Sequence, residues 1–237
     1  VGMANLVDAL YAIDQLVYRE KRLTLAQFGQ ILRENFAGNE PLRQHILNGI
    51  PKYGNDEPEI DALFRRMTEW ITEEMARYRT WHGSRFVPSM FCWIMHERLG
   101  TATGASADGR LAGFPLGDGS GPAQGREHHG PTASILSSTC WNHEKFIGGI
   151  AVNLKFSKKL FTGASLEKLL TLVKTYMRRG GFELQINVVD REKLLAAQKN
   201  PDAYRDLVVR IGGYSDYFTN LSPQMQAEVL LRTEHEL

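Results

Sequence analysis

Leu207-Val208-Val209-Arg210-Ile211-Gly212-Gly213-Tyr214-Ser215-Asp216-Tyr217-Phe218-Thr219-Asn220 is the stretch on which the reading of this chain turns. Apolar residues at Leu207, Val209 and Ile211 alternate along a short extended run that feeds two consecutive glycines. Tyr214, Tyr217 and Phe218 then crowd the same turn. Paired glycines after a strand serve a tight turn that needs positive φ, with aromatics supplying a small core. The same arrangement also suits the protection of a reactive backbone carbon from solvent. On the residues alone the turn-and-core reading is the plainer of the two.

Upstream of this stretch the hydrophobic period alternates between two and three-to-four. Val152, Leu154 and Phe156 alternate with Asn153 and Lys155, which predicts a strand. Leu166, Leu169, Leu170, Val173 and Met177 predict a helix from about Ser165 to Gly180-Gly181. Phe182, Leu184, Ile186 and Val188 then alternate with Glu183, Gln185 and Asn187 as a second strand. Strand–helix–strand order over residues 150–211 implies parallel pairing and an α/β class. Asn200-Pro201 reads as an N-cap with proline at the first helical position, and Ser222-Pro223 as the start of a last helix.

The first hundred residues read as helices. Met3, Leu6, Val7, Leu10, Ile13 and Val17 share one face, and Thr24 caps a helix carrying Leu25, Phe28, Leu32 and Phe36 that ends near Gly38. Ile60, Leu63, Phe64, Met67, Ile71, Met75 and Tyr78 form the clearest stripe, entered through Asp56 and Pro58. Such stripes are core. Residues 100–131 hold 9 of the 22 glycines and three of the nine prolines. An uninterrupted loop of that length is expected to be functional or disordered.

Composition excludes several classes. Lys+Arg 28 against Asp+Glu 27 leaves a net charge of +1, so no global field recruits nucleic acid or an anionic membrane. Two cysteines fit a reducing, cytoplasmic compartment rather than a disulfide framework. No apolar run reaches the length of a membrane span. Cys92 with His96 and Cys140 with His143 match no standard zinc spacing, so buried structural cysteines and no metal are expected. His128-His129 reads as an exposed loop tip. Gly117, Gly119 and Gly121 are followed by no Lys-Ser/Thr, as a phosphate-binding loop would need.

Arg210-Ile211-Gly212-Gly213-Tyr214-Ser215, with Leu221-Ser222, Gln226 and Arg232-Thr233-Glu234-His235 after it, resembles the C-terminal motif of the glycyl radical enzymes. That family includes pyruvate formate-lyase, the glycerol and propanediol dehydratases, choline trimethylamine-lyase and arylacetate decarboxylases. Thr103-Gly104-Ala105, Ala107-Asp108-Gly109-Arg110, Gly113 and Pro115 are similar to its glycine-rich connection. Gly130-Pro131-Thr132-Ala133 and Gln185-Ile186-Asn187-Val188-Val189 are similar to further family stretches, so the resemblance covers residues 1–237.

The resemblance implies an activating enzyme, using S-adenosylmethionine and an iron–sulfur cluster, that removes one Cα hydrogen from Gly213. No other cofactor is implied. Arg210 would anchor the loop, Tyr214, Tyr217 and Phe218 would wall off Gly213, and Gly212, Ser215 and Arg232 would support the turn. Arg232 would brace the loop or pair with an acid, with a surface position as its alternative. Asp108 and Arg110 would hold the long loop together. The family's thiyl cysteine sits in a Gly-Cys-x-Glu stretch, which neither Cys92 nor Cys140 matches. In the family it comes well before the Ala107-Asp108-Gly109-Arg110 stretch, so the resemblance implies a position upstream of Val1, in a missing N-terminal part; the chain itself opens Val1-Gly2-Met3 within a helical pattern.

The implied fold is the C-terminal part of a ten-stranded α/β barrel. Residues 1–110 would be the helical end of the pyruvate formate-lyase-like domain, and residues 111–237 the glycine radical domain. The complete protein would be a cytoplasmic homodimer cleaving a C–O, C–C, C–N or C–S bond of a small-molecule substrate. Alternatives are formate C-acetyltransferase itself, or a separate radical-bearing subunit that complements a damaged or split relative.

Overall fold

The computed structural model describes residues 1–156, 163–188, 190–232 and 234–235. Val189 and Thr233 of the family-like stretches lie outside them. Helices dominate the first half: α1 (Met3–Ile13), α2 (Leu25–Arg33), α3 (Glu40–Gly49), α4 (Pro58–Ala76) and α5 (Met95–Thr101). The second half runs α6 (Gly130–Ser138), β1 (Val152–Phe156), α7 (Gly163–Arg178), β2 (Leu184–Val188) and α8 (Arg191–Lys199). It ends with β3 (Val208–Arg210), β4 (Ser215–Tyr217), α9 (Pro223–Leu231) and β5 (Glu234–His235).

The predicted α/β unit is present. β1 and β2 pair in parallel, from Val152↔Leu184 to Phe156↔Val188, and β5 joins the other edge of β1, also in parallel. β3 departs from the expectation of parallel pairing, because it turns back at the two glycines and pairs antiparallel with β4. The described residues form these two sheets, of three and two strands, and close no barrel. None of their helices is long and apolar enough to cross a membrane.

Three apolar clusters hold the elements. The helical cluster joins Val7, Leu16, Phe28, Ile46, Tyr53, Ile60 and Phe64 to Trp141, Phe146 and Ile150, with Tyr53 and Phe64 stacked at 3.9 Å between ring centroids. The sheet cluster packs Ile135, Val152, Leu154 and Phe156 on Leu169, Leu172 and Tyr176. Beneath the hairpin, Leu207, Val209, Ile211 and Phe218 meet Leu194, Met225, Val229 and Leu230.

Local signals explain most boundaries. Thr24 caps α2 in a reciprocal box: its hydroxyl accepts from the Gln27 N–H at 3.2 Å, and Gln27 Oε1 accepts from the Thr24 N–H at 2.8 Å. Ser222 Oγ likewise accepts from the Met225 N–H to start α9. Other expectations are corrected. α2 stops at Arg33, before left-handed Asn35 and Phe36 reverse the chain ahead of Gly38. Leu6 and Leu10 lie outside the buried face of α1, which carries Met3, Ala4, Val7, Tyr11 and Ala12. Tyr78 falls beyond α4 and is exposed. Pro201 opens only a short 3-10 turn to Tyr204, because the helix of this region, α8, lies before it and is capped by Asp190.

Much of the glycine-rich loop is buried rather than superficial. Ala107 through Arg110 and Gly117 through Ala123 are buried. Arg110 donates to the carbonyls of Thr103, Gly104, Leu111 and Phe114, so a single guanidinium ties four loop peptides together. Asp108 accepts from Asn5 Nδ2 at 2.7 Å and from Ser106, fastening the loop to α1. Gly119 shows why small residues are needed: a Cβ there would collide with the Ala151 carbonyl oxygen, which accepts from the Ser120 N–H at 3.0 Å.

Candidate functional site

The hairpin between β3 and β4 places Gly212 and Gly213 at its tip, where the Ile211 N–H donates to the Tyr214 carbonyl at 2.9 Å. Gly213 has φ 83°, the left-handed region that a Cβ disfavours. A Cβ added there would lie 2.5 Å from Phe91 Cε2 and closer still to Cζ. The Phe91 ring thus occupies the space that a side chain would take. On Gly212 a Cβ would approach the Trp93 carbonyl oxygen to 2.9 Å. Trp93 is itself left-handed at φ 52°, a conformation costing a bulky residue about 1–2 kcal/mol. Its ring meets the Tyr214 ring edge-on at 6.4 Å between centroids.

Three distant segments seat the turn. From β2, Gln185 Oε1 accepts from the Gly213 N–H at 3.0 Å, and Asn187 Oδ1 accepts from the Arg210 N–H at 3.0 Å. From the end of α9, Arg232 Nη1 donates to the Arg210 carbonyl at 2.9 Å and Nη2 to the Ile211 carbonyl at 3.1 Å. Arg232 is only 8% exposed. Its Nε and Nη2 hold the two oxygens of Glu228 at 3.0 and 3.2 Å, and Asp118 Oδ2 lies 3.5 Å from Nη2. Burial works against this cation, but Glu228 and Asp118 outweigh it and hold the guanidinium above its ordinary pKa. The third segment is the Phe91–Trp93 strip.

The residues singled out from sequence divide accordingly. Gly212, Gly213 and Tyr214 meet at the turn, with Tyr214 half-buried. Phe218 is fully buried in the cluster below and packs with Ile211 rather than forming a separate wall. Tyr217 is 47% exposed, and the ring that fills the side-chain space of Gly213 is Phe91. Ser215 is exposed and accepts from Arg210 Nη1 at 3.4 Å. The surface alternative for Arg232 is excluded: it both braces the loop and pairs with acids. Gln226 Nε2 supports the turn's exit through the Phe218 and Leu221 carbonyls.

Gln185 and Asn187 stand in a family-like stretch to which the sequence assigns no role at the turn, and Phe91 and Glu228 carry no sequence signal. A signal existed for the first two. Parallel strands flanked by helices are normally apolar on both faces, so the polar run Glu183, Gln185, Asn187 needed buried partners.

Cys92 and His96 are brought together, with Sγ 3.4 Å from Nδ1, while Cys92 also bonds the Asp118 carbonyl. Burial pushes the Cys92 thiol up to about 12. Cys140 bonds the Asp61 carbonyl at 3.5 Å and His143 Nε2 contacts the Ser138 carbonyl at 2.7 Å, so the second pair is not a ligand pair. Among the described residues no group of three or more His, Cys, Asp or Glu side chains is placed to hold a metal ion. His128 and His129 are exposed, their N–H groups bonded to Asn55 Oδ1.

Comparison with known proteins adds an independent line. A family model described as "Glycine radical" matches residues 116–219, and one described as "Pyruvate formate lyase-like" matches residues 1–100. A probable dehydratase of Escherichia coli (strain K12), YbiW, is 38% identical across 100% of this chain and 30% of its own length. The isethionate sulfite-lyase of Bilophila wadsworthia is 36% identical, over 100% of this chain and 29% of its own. The solved structure of hydroxyproline dehydratase from Clostridioides difficile, with trans-4-hydroxy-L-proline bound, superposes with a TM-score of 0.95. It is 35% identical, over 100% of this chain and 30% of that one. The chain therefore spans about 30% of the length of the curated relatives that it matches.

Proposed function

This chain belongs to the glycyl radical enzyme family, and from that premise we propose that it stores an organic radical on the α-carbon of Gly213. The observation that carries the reading is the seat of that residue: a left-handed glycine whose side-chain space is filled by Phe91. An activating enzyme carrying S-adenosylmethionine and an iron–sulfur cluster would supply the radical that takes one hydrogen atom from the Gly213 Cα–H bond. One unpaired electron remains on Gly213. A glycine carbon can flatten there and spread that electron over the two flanking peptide groups, which a substituted carbon could not do against the Phe91 ring.

The residues of this chain then have defined tasks. Arg232 and Asn187 hold the strand that enters the turn, through its carbonyls and its N–H respectively. Phe91 and Tyr214 limit the access of water and oxygen. Gly212 permits the close approach of the Trp93 carbonyl. Neither cysteine of the chain is assigned the thiyl role: neither stands in a Gly-Cys-x-Glu stretch, and buried Cys92 and half-buried Cys140 each bond a backbone carbonyl. That role falls to a cysteine outside these residues, on a hairpin facing Gly213 inside a ten-stranded barrel.

In the complete protein, active as a cytoplasmic homodimer, the relayed radical would break a carbon–heteroatom or carbon–carbon bond of a small molecule. Relatives named as a dehydratase and a sulfite-lyase support the elimination of water or a similar leaving group. Trp81 at 90%, Trp93 at 61% and Trp70 at 57% exposure are consistent with surfaces met by further protein.

The test is electron paramagnetic resonance of the full-length protein after anaerobic treatment with its activating enzyme. A doublet from one α-hydrogen is expected, absent in Gly213→Ala. Admitting air should then cut the chain at Gly213, releasing a C-terminal piece visible by mass. An unchanged doublet in Gly213→Ala would overturn the assignment.

A further inference from the structure

The Gly213 N–H is held by one side chain, and that side chain is held in turn. Gln185 is 5% exposed on β2, and its amide sits between two groups of opposite character. Its Oε1 accepts from the Gly213 N–H at 3.0 Å, while its Nε2 donates to Glu183 Oε1 at 2.6 Å. Only one orientation of the amide satisfies both neighbours, since a carboxylate cannot donate and a backbone N–H cannot accept. Glu183 immediately precedes β2, two residues before Gln185, and its carboxylate reaches the Gln185 amide across that short span. The result is a directed chain from carboxylate to amide to the peptide nitrogen beside the α-carbon of Gly213.

We propose that Gln185, oriented and polarised by Glu183, is a positioning residue that tunes the radical on Gly213; the inference rests on the assignment of that radical. An electron on a glycine α-carbon is stabilised by donation from the adjacent nitrogen and withdrawal by the adjacent carbonyl. An acceptor on the N–H raises electron density at that nitrogen and strengthens the donating half. A charge-assisted bond from Glu183 makes the amide oxygen a better acceptor, because hydrogen bonds in series polarise one another. The same bond fixes the plane of the peptide joining Gly212 to Gly213, and delocalisation requires that plane to lie flat with the radical carbon. No proton moves along the chain: the hydrogen atom leaves from Cα, and Gln185 is unchanged by the step.

Among the described residues no other side chain is seen to duplicate this contact. Asn187 serves the N–H of Arg210, and Arg232 serves the carbonyls of Arg210 and Ile211, all before the glycines. These bonds place the strand, whereas Gln185 alone among them touches a peptide group of Gly213 itself.

The experiment uses the full-length protein with its activating enzyme and three variants: Gln185→Leu, Glu183→Gln, and the exchange Glu183→Gln with Gln185→Glu. In the resting protein, Gln185→Leu should speed amide exchange at Gly213 about tenfold, the loss of one ordinary hydrogen bond. After activation, electron–nuclear double resonance reads the coupling of the Gly213 amide proton. That coupling should change in Gln185→Leu, change in the same direction but less in Glu183→Gln, and reach or pass the wild-type value in the opposite direction in the exchange variant, whose carboxylate accepts directly from the Gly213 N–H. The anaerobic lifetime of the doublet should shorten in the same order. A merely structural role would alter radical yield without moving the amide coupling. If Gln185→Leu gives too little radical to measure, Glu183→Gln decides, because it leaves the Gly213 contact in place. Wild-type amide coupling and lifetime in every variant that carries the radical would overturn the proposal while leaving Gly213 as its carrier. A doublet that survives Gly213→Ala would instead overturn the Gly213 assignment and this proposal with it.

Discussion

Replacing Arg232 by methionine should uncouple the hairpin from the rest of the chain. The substitution keeps much of the side-chain volume and removes a cation that is 8% exposed. Glu228, 1% exposed, would lose both guanidinium bonds and keep only Gln124 Nε2 at 2.9 Å. The carbonyls of Arg210 and Ile211 would lose their donors at the entry to the glycine turn. Removing one partner of a buried pair costs about 3–5 kcal/mol, chiefly because the other charge stays buried. Each orphaned carbonyl adds about 1–3 kcal/mol unless water reaches it, and these terms overlap rather than add. A loss of about 4 kcal/mol is therefore expected. Arg232→Lys retains the charge but cannot fork between Glu228 and two carbonyls, so about half that loss should remain.

The assay is urea unfolding of wild type, Arg232→Met, Glu228→Gln and the double variant, with amide exchange of residues 208–217 read alongside. Because most of the penalty sits on the abandoned carboxylate, Glu228→Gln should recover part of the loss in the Arg232→Met background, by about 1–2 kcal/mol. Exchange should rise first at the amides of the hairpin, ahead of those in α1 and α4, whose cores are separate. A loss below about 1 kcal/mol, or no recovery in the double variant, would refute the reasoning that a buried ion pair clamps this turn.

Gly213→Ala should cost about 1–2 kcal/mol for its left-handed backbone, plus the displacement of Phe91. Phe91→Ala should restore the steric part without restoring the radical, as thermal denaturation and electron paramagnetic resonance would show; no rescue would mean that the ring is not what fills the space. Asp8 is fully buried, and burial pushes its carboxyl up to about 7, opposed by Lys52. A folded pKa above the unfolded 3.8 gives a contribution present below 3.8 and lost as pH rises through about 7. Asp8→Asn keeps an acceptor for the Tyr53 N–H, so its stability should fall less than that of wild type across this window; parallel denaturation midpoints would refute it. Burial pushes Cys92 and Cys140 both up to about 12, so iodoacetamide should label neither in the folded chain at about pH 8 and both in urea. Rapid labelling before unfolding, detected by mass, would contradict the packing described.

What could be read from the sequence is set by how tightly chemistry constrains residue type. Thr24 announces α2 because a hydroxyl before an apolar stripe, with Gln27 three residues on, satisfies donors that no other local arrangement would. The strands at 152–156 and 184–188 show in alternation because the period of a strand is local. α8 was missed for the opposite reason. Its residues Arg191 to Lys199 are largely polar, and it buries only Leu194 and Ala197, too little to mark a helical face. The long glycine-rich loop left a functional and a disordered reading open, because composition alone does not show that a glycine such as Gly119 serves close backbone approach to Ala151.

The candidate site divides in the same way, and the division bears on how the turn works. Its centre, Gly212-Gly213-Tyr214, is legible because only glycine fits, and the resemblance rests on those residues. Its seat is not legible, because the residues that make it lie in three places and nothing in their local sequence joins them to the turn. Gln185 and Asn187 come from β2, Phe91 and Trp93 from the strip before α5, and Arg232 from beyond α9. Arginine four residues after glutamate on a helix ordinarily marks a solvated pair, and nothing in the local sequence distinguishes Glu228 and Arg232 from one. Burial makes the difference, and burial follows from packing α9 against the 118–124 loop, where Asp118 and Gln124 complete the cluster. The turn's own outward side chains contribute little to its seat: Ser215 and Tyr217 are exposed, and Arg210 is gripped mainly through its backbone. A backbone held through its own peptide groups keeps its geometry when a side chain on it changes. Substitutions at Ser215 or Tyr217 should therefore leave the seat of Gly213 intact, whereas Gln185 and Arg232, 28 and 19 positions away, should not be replaceable without disturbing it.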